Sequence, residues 1–193
     1  MHLNDFLVKS LIEEVVDVFE FQCSHKNLKL LKNIDPQLNS IVTHSDNGRI
    51  KQVLLNLMAN ALKFTFEGHI ILSVCRVEWN GSEALEFSVT DTGIGISKHN
   101  QTKLFRLFGL ISENEKINPN GCGIGLTVSK KFVEALDGEI HLRSVEGEGT
   151  KVTFRIPLIR NLKSEMLKET EDEYDQDDIN EVPEEKSNFT LFI

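Results

Sequence analysis

Asn56, Asn60 and Lys63 are spaced so that one helix would line all three along a single stripe. An amide oxygen is a hard donor suited to Mg2+, which takes one or two protein groups and fills its other positions with water and phosphate. Lys63 would neutralise phosphate charge from the next turn. Further along, Asp91-Thr-Gly-Ile-Gly-Ile96 sets a carboxylate ahead of Gly93 and Gly95. Those glycines let the backbone approach a flat ligand with no Cβ in the way. The carboxylate would accept a hydrogen bond from an exocyclic amine such as the adenine N6 group. Gly121-Cys-Gly-Ile-Gly-Leu126 then leads from a polar stretch into a helical pattern. The free N–H groups of a helix N-terminus suit an anion such as a triphosphate. Metal donors, a base-reading carboxylate and a phosphate cradle, in that order, read as an ATP site. Taken singly each has a plainer reading: the polar side of an amphipathic helix, or a β-turn built from Asp and Gly.

Rival motifs fail. The dinucleotide fingerprint needs a third glycine where Leu126 stands and a preceding strand. The P-loop lacks its GK[ST], and the HRD and DFG signatures of protein kinases are absent. No GxSxG elbow or HExxH zinc motif occurs.

The elements that must position these residues follow from periodicity. Residues 5–25 carry apolar positions at helical spacing, and Arg49–Phe64 does so again with Ile50, Val53, Leu54, Leu57 and Ala61 facing a core. Leu28 and Leu30 suggest a short strand, and 40–43 another. Residues 69–78 and 84–90 are β-like runs around Asn80-Gly81, a hairpin turn. Residues 97–108 read as helix and 111–120 as a polar loop. A further helix runs through Leu136 and stops at Asp137-Gly138, with the glycine as C-terminal cap. Strands at 139–145 and 150–157 flank Gly147-Glu-Gly149. Helices mixed with antiparallel pairs predict an α+β two-layer sandwich, one mixed sheet with helices on one face.

Of the 30 acidic residues eleven lie from Asn161 onward, with only three of the 21 basic ones, so this stretch carries most of the net charge of −9. The organisation expected is a domain over 1–160 and an acidic, disordered tail or linker over 161–193. A nearly neutral body argues against a nucleic-acid surface. Cys23, Cys75 and Cys122 are odd in number with no CxxC spacing, which fits reduced thiols in a cytoplasmic setting. No signal-peptide pattern or membrane-length apolar run appears, so no direct membrane contact is expected, although a longer parent chain would be free to carry an anchor.

From roughly Leu3 to Pro157 the chain resembles sensor histidine kinases. Asn56–Lys63 is similar to their N box, DTGIGI to the first glycine box and GCGIGL to the second. These kinases share an ATPase superfamily with gyrase, mismatch-repair and chaperone ATPases. The resemblance implies the left-handed Bergerat-type ATP fold, a mixed sheet under three main helices with a mobile lid, and ATP and Mg2+ as cofactors. It assigns Asn60, assisted by Asn56, to Mg2+, Lys63 to phosphate and Phe64 to the adenine. Asp91 would bind the adenine amino group with Gly93 and Gly95 beside the ring. Gly121, Gly123, Gly125 and Leu126 would close over the phosphates, with Thr150 near the base. Asn56 and Lys63 would be the catalytic pair.

Hydrolysing members of the superfamily carry Glu where this chain has Asn56, and an amide cannot take a proton from water. The site is therefore expected to hold ATP for transfer. Two features depart from the family: Arg106 and Leu107 replace the usual Glu and Pro of the F box (Leu104–Phe108), and the stretch from there to Gly121 is short. His2, His25, His44, His69, His99 and His141 all lack the context of a phosphoacceptor. The partners implied are a histidine-bearing dimerisation domain and a response-regulator receiver domain, in the same longer chain or in trans. The alternative is a non-catalytic module that binds nucleotide or a partner and regulates another kinase.

Overall fold

The computed structural model describes residues 1–101 and 124–160. Val8, Leu11, Ile12, Val15, Val16, Phe19 and Cys23 recur at helical spacing and form the buried side of helix α1, Val8–His25. Helix α2, Asn47–Phe64, buries Ile50, Val53, Leu54, Leu57, Met58 and Ala61 in the same way. It starts two residues earlier than its apolar pattern because Asp46 caps it, the carboxylate accepting from Arg49 N at 3.1 Å. It stops at Thr65, whose hydroxyl donates to Ala61 O at 2.7 Å.

The strands are β1 (Asn4–Leu7), β2 (Lys29–Ile34), β3 (Val42–Ser45), β4 (His69–Trp79), β5 (Ser82–Asp91), β6 (Glu139–Val145) and β7 (Gly149–Pro157). The main sheet has the order β2-β4-β5-β7-β6. β2 runs parallel to β4 and the remaining neighbours are antiparallel. Asn80 (φ 52°) and Gly81 (φ 75°) form the tight β4–β5 turn expected of that dipeptide. Helix α3 is the single turn Lys98–Gln101, and α4 spans Gly125–Glu134.

Alternation along the strands gives the sheet one apolar face. Ile70, Leu72, Val74, Leu85, Phe87, Val89, Val152, Phe154 and Ile156 are buried in one cluster with α1, α2 and Val133 of α4. Phe87 and Phe154, opposite each other in register, stack at 4.8 Å. The α+β two-layer sandwich with a mixed sheet is the architecture expected. Among the described residues no helix is long and apolar enough to cross a membrane.

The structure corrects three expectations. Residues 5–7 are strand rather than helix: β1 pairs antiparallel with β3, Asn4 opposite Ser45, and helix starts only at Val8. The helical spacing of Leu7 carried no information about that partner strand, which also adds a two-stranded sheet to the single one expected. After α4 the left-handed residue is Asp137 (φ 56°), not Gly138. Gly138 N donates to Val133 O, and a Cβ there would collide with Arg155 O, so close packing on β7 rather than dihedral freedom explains the glycine. Of the helix expected over 97–108 the described part is α3. The rest of it, the polar loop at 111–120 and the tail at 161–193 lie outside the described residues.

Candidate nucleotide site

α2 carries Asn56, Asn60 and Lys63 half-buried along one flank of its apolar side. Asn56 is fixed from across the α2–α4 contact: its Nδ2 donates to Ser129 Oγ at 2.8 Å. With the amide so held, Oδ1 faces the start of α4, where a Cβ on Gly125 would collide with it. α4 starts at Gly125 with no capping hydrogen bond from the side chain of Ile124, and the N–H groups of a helix's first turn point along its axis toward its N-terminal end. The structure thus brings together an oriented amide oxygen and a helix N-terminus. Lys63 Nζ lies 5.8 Å from the centre of the Phe64 ring at the end of α2.

Asp91 closes β5, in register with Ile70 on one side and Thr150 on the other. Its Oδ1 accepts from Gly93 N at 2.9 Å, and the Thr150 N–H also bonds the carboxylate. Burial pushes its pKa up, and these two N–H groups only partly offset that. A half-buried carboxylate with two N–H donors still has acceptor capacity to spare, and suits a further donor from a ligand.

The segment after Asp91 is anchored at both ends by backbone. Ile94 N donates to Phe64 O at 3.1 Å, and Gly147 N donates to Ile94 O at 2.7 Å. Any Cβ on Gly93 would strike Phe64 O, and one on Gly95 (φ 64°) would strike Val145 O. Gly93 and Gly95 are therefore required first by this docking between α2 and the β6–β7 hairpin. Thr150 Oγ1 is 2.9 Å from Ser144 Oγ, which donates to Gly149 O. Gly121 and Gly123, like Phe105, Phe108 and Cys122, lie outside the described residues. Leu126 is half-buried in the first turn of α4.

Three supporting residues escaped the sequence reading. Ser129 follows Gly125 by one helical turn, a spacing that places it on the same side of α4. Gly149 seemed only a hairpin residue, yet it is buried and a Cβ on it would collide with Asp91 O. Ser144, on β6, gave no signal at all.

Residues 45–160 match the family model of the histidine kinase-, DNA gyrase B- and HSP90-like ATPases. The chain is 34% identical over 155 residues to the autoinducer 2 sensor kinase/phosphatase LuxQ of Vibrio cholerae, a match covering 80% of this chain and 18% of that protein. It is 32% identical over 155 residues to hybrid signal transduction histidine kinase B of Dictyostelium discoideum, covering 79% of this chain and 8% of the relative. It spans less than a fifth of either. A nucleotide-free catalytic domain of the histidine kinase ThkA superposes with a TM-score of 0.66 at 27% identity, covering 82% of this chain and 99% of that one. The chain belongs to the histidine kinase-, DNA gyrase B- and HSP90-like ATPase family, as an ATP-binding catalytic domain of the sensor histidine kinase kind.

Proposed function

We propose that residues 1–160 hold Mg·ATP for phosphoryl transfer to a histidine on a dimerisation domain, and that 161–193 link or trail this domain. The observation that carries the reading is the Asn56–Ser129 bond, because it holds the Asn56 amide against the N-terminus of α4. A neutral amide oxygen beside a helix N-terminus fits a hard cation bridged to phosphates. Asn56 and Asn60 would hold Mg2+, which when bound neutralises charge developing on the phosphates. Lys63, Gly125 and Leu126, with Gly121 and Gly123, would hold the phosphates, and Phe64, Gly93, Gly95 and Thr150 would line the base. Asp91, with acceptor capacity to spare, would accept from the adenine amino group.

An amide at position 56 gives no base to activate water, which favours positioning and transfer over hydrolysis. The kinase names of the relatives support histidine as acceptor, and the hybrid architecture of one supports a receiver domain as the next carrier. ATP dependence fits a cytoplasmic site of action. Incubation with labelled ATP, Mg2+ and a separately supplied histidine-bearing domain should place label on that domain and release little phosphate. Bound Mg·AMP-PNP without transfer to any supplied histidine domain would instead support a regulatory module. No calorimetric heat with Mg·AMP-PNP, in a chain shown folded by circular dichroism, would overturn the site.

A further inference from the structure

The face of the sheet turned away from the helices carries its own charge pattern. Register places Thr90, Lys151 and Arg143 in one row across β5, β7 and β6, and Glu86, Arg155 and Glu139 in another. Between the rows runs a third, of Ser88, Thr153 and His141. Glu86, His141, Arg143, Lys151, Thr153 and Arg155 line an open cavity of about 370 Å³ on this face. Its cations are treated unequally. Arg155 is held by Glu86 at 2.6 Å and Glu139 at 3.1 Å, and His141 Nε2 also lies 3.1 Å from Glu139. Lys151 and Arg143 are exposed, stand directly opposite each other, and have no acidic partner among the described residues.

Like charges directly opposite on neighbouring strands repel and destabilise a sheet. Two unbalanced positive charges at the mouth of one cavity are therefore a cost to folding that an anionic ligand would remove. We propose that this open face docks an acidic segment of a partner protein, its carboxylates lying over Lys151 and Arg143 and beside the Thr153 hydroxyl. A single small anion gains too little at exposed, salt-screened groups, so several carboxylates in one segment are needed. Nucleic acid fits less well, because two cations without an acidic partner, Lys151 and Arg143, are too few to track a run of phosphates.

The test uses the full chain, fluorescence anisotropy and a labelled oligoglutamate peptide, at low ionic strength and at about 0.15 M salt. Binding is expected at low salt and should weaken at the higher one. Lys151→Glu turns the repelling pair into an attracting one, so it should raise or preserve Tm while weakening peptide binding about fivefold or more. Lys151→Thr removes the charge without reversing it and should weaken binding with Tm unchanged or higher. Circular dichroism melts report folding independently of nucleotide. No peptide binding at low salt by the folded wild type would overturn the proposal. So would binding undiminished by either variant, or tighter binding of a labelled oligodeoxynucleotide than of oligoglutamate.

Discussion

Asn56 and Ser129, on different helices and 73 residues apart in the chain, are joined side chain to side chain at 2.8 Å. Ser129 is 2% exposed, so its hydroxyl has little water to turn to and serves the amide. Removing it takes away this anchor, and the Asn56 side chain can then turn away from α4. Ser129→Ala should cost about 1 kcal/mol, the net worth of one hydrogen bond, and lower Tm by roughly 2–4 °C. Affinity for Mg·AMP-PNP should fall about fivefold by calorimetry. The same titration in EDTA should separate wild type and variant much less, because the bond acts by aiming the metal donor. An equal loss with and without the metal would show that Ser129 serves packing alone.

Asn60 sits one turn further along α2, and among the described residues its side chain makes no hydrogen bond. Asn60→Ala should leave Tm nearly unchanged, since no buried partner is orphaned. It should abolish the gain in nucleotide affinity on adding Mg2+, read as the ratio of dissociation constants with and without the metal. A variant that melts as wild type and keeps that ratio would remove Asn60 from the metal site.

Gly125 and Gly95 are both crowded, but by different kinds of atom. A Cβ on Gly125 meets the Asn56 amide, a side chain able to rotate away. A Cβ on Gly95 meets Val145 O, a backbone atom fixed in β6, at a positive φ that disfavours side chains. Gly95→Ala should therefore destabilise by about 2–4 kcal/mol, the sum of dihedral strain and displaced backbone. Gly125→Ala should cost less in Tm and more in nucleotide affinity, because the yielding atom is the proposed metal donor. Thermal melts paired with calorimetry give both orders, and a reversal of either refutes the assignment.

Residues that carry their own local signal were legible in the chain. The periodicity of α2, the Asn80-Gly81 turn and the Asp91 glycine segment each depend on neighbours within a few positions, so pattern and spacing reach them. Elements that need a distant partner were not. β1 is a strand only because β3 lies beside it, and its own residues read equally well as the first turn of a helix. Gly138 is a glycine because β7 passes close, and nothing around it in the chain says so. The same division runs through the site. Asn56 stands out as a candidate from the spacing on its own helix, whereas Ser129 touches it only through the packing of α2 on α4, which spacing does not encode.

Asp91 offers a test of the base pocket through pH. Its ordinary carboxyl value of 3.8 applies to the unfolded chain, and burial raises it in the folded protein. Between the two values the folded state keeps a proton that the unfolded state has lost. The contribution of Asp91 to stability therefore falls as pH rises through that window, and stays constant above it. Asp91→Asn has no proton to lose, so Tm of wild type minus Tm of the variant should decrease from below about pH 3.8 toward neutrality. Binding should run the other way. Only the ionised carboxylate accepts fully from an exocyclic amine, so wild-type affinity for Mg·AMP-PNP should drop as Asp91 gains its proton. At neutral pH Asp91→Asn should bind about tenfold more weakly or worse, the loss expected for a hydrogen bond to a charged group. A wild-type affinity flat across the acid range, with folding intact, would mean that Asp91 does not touch the base.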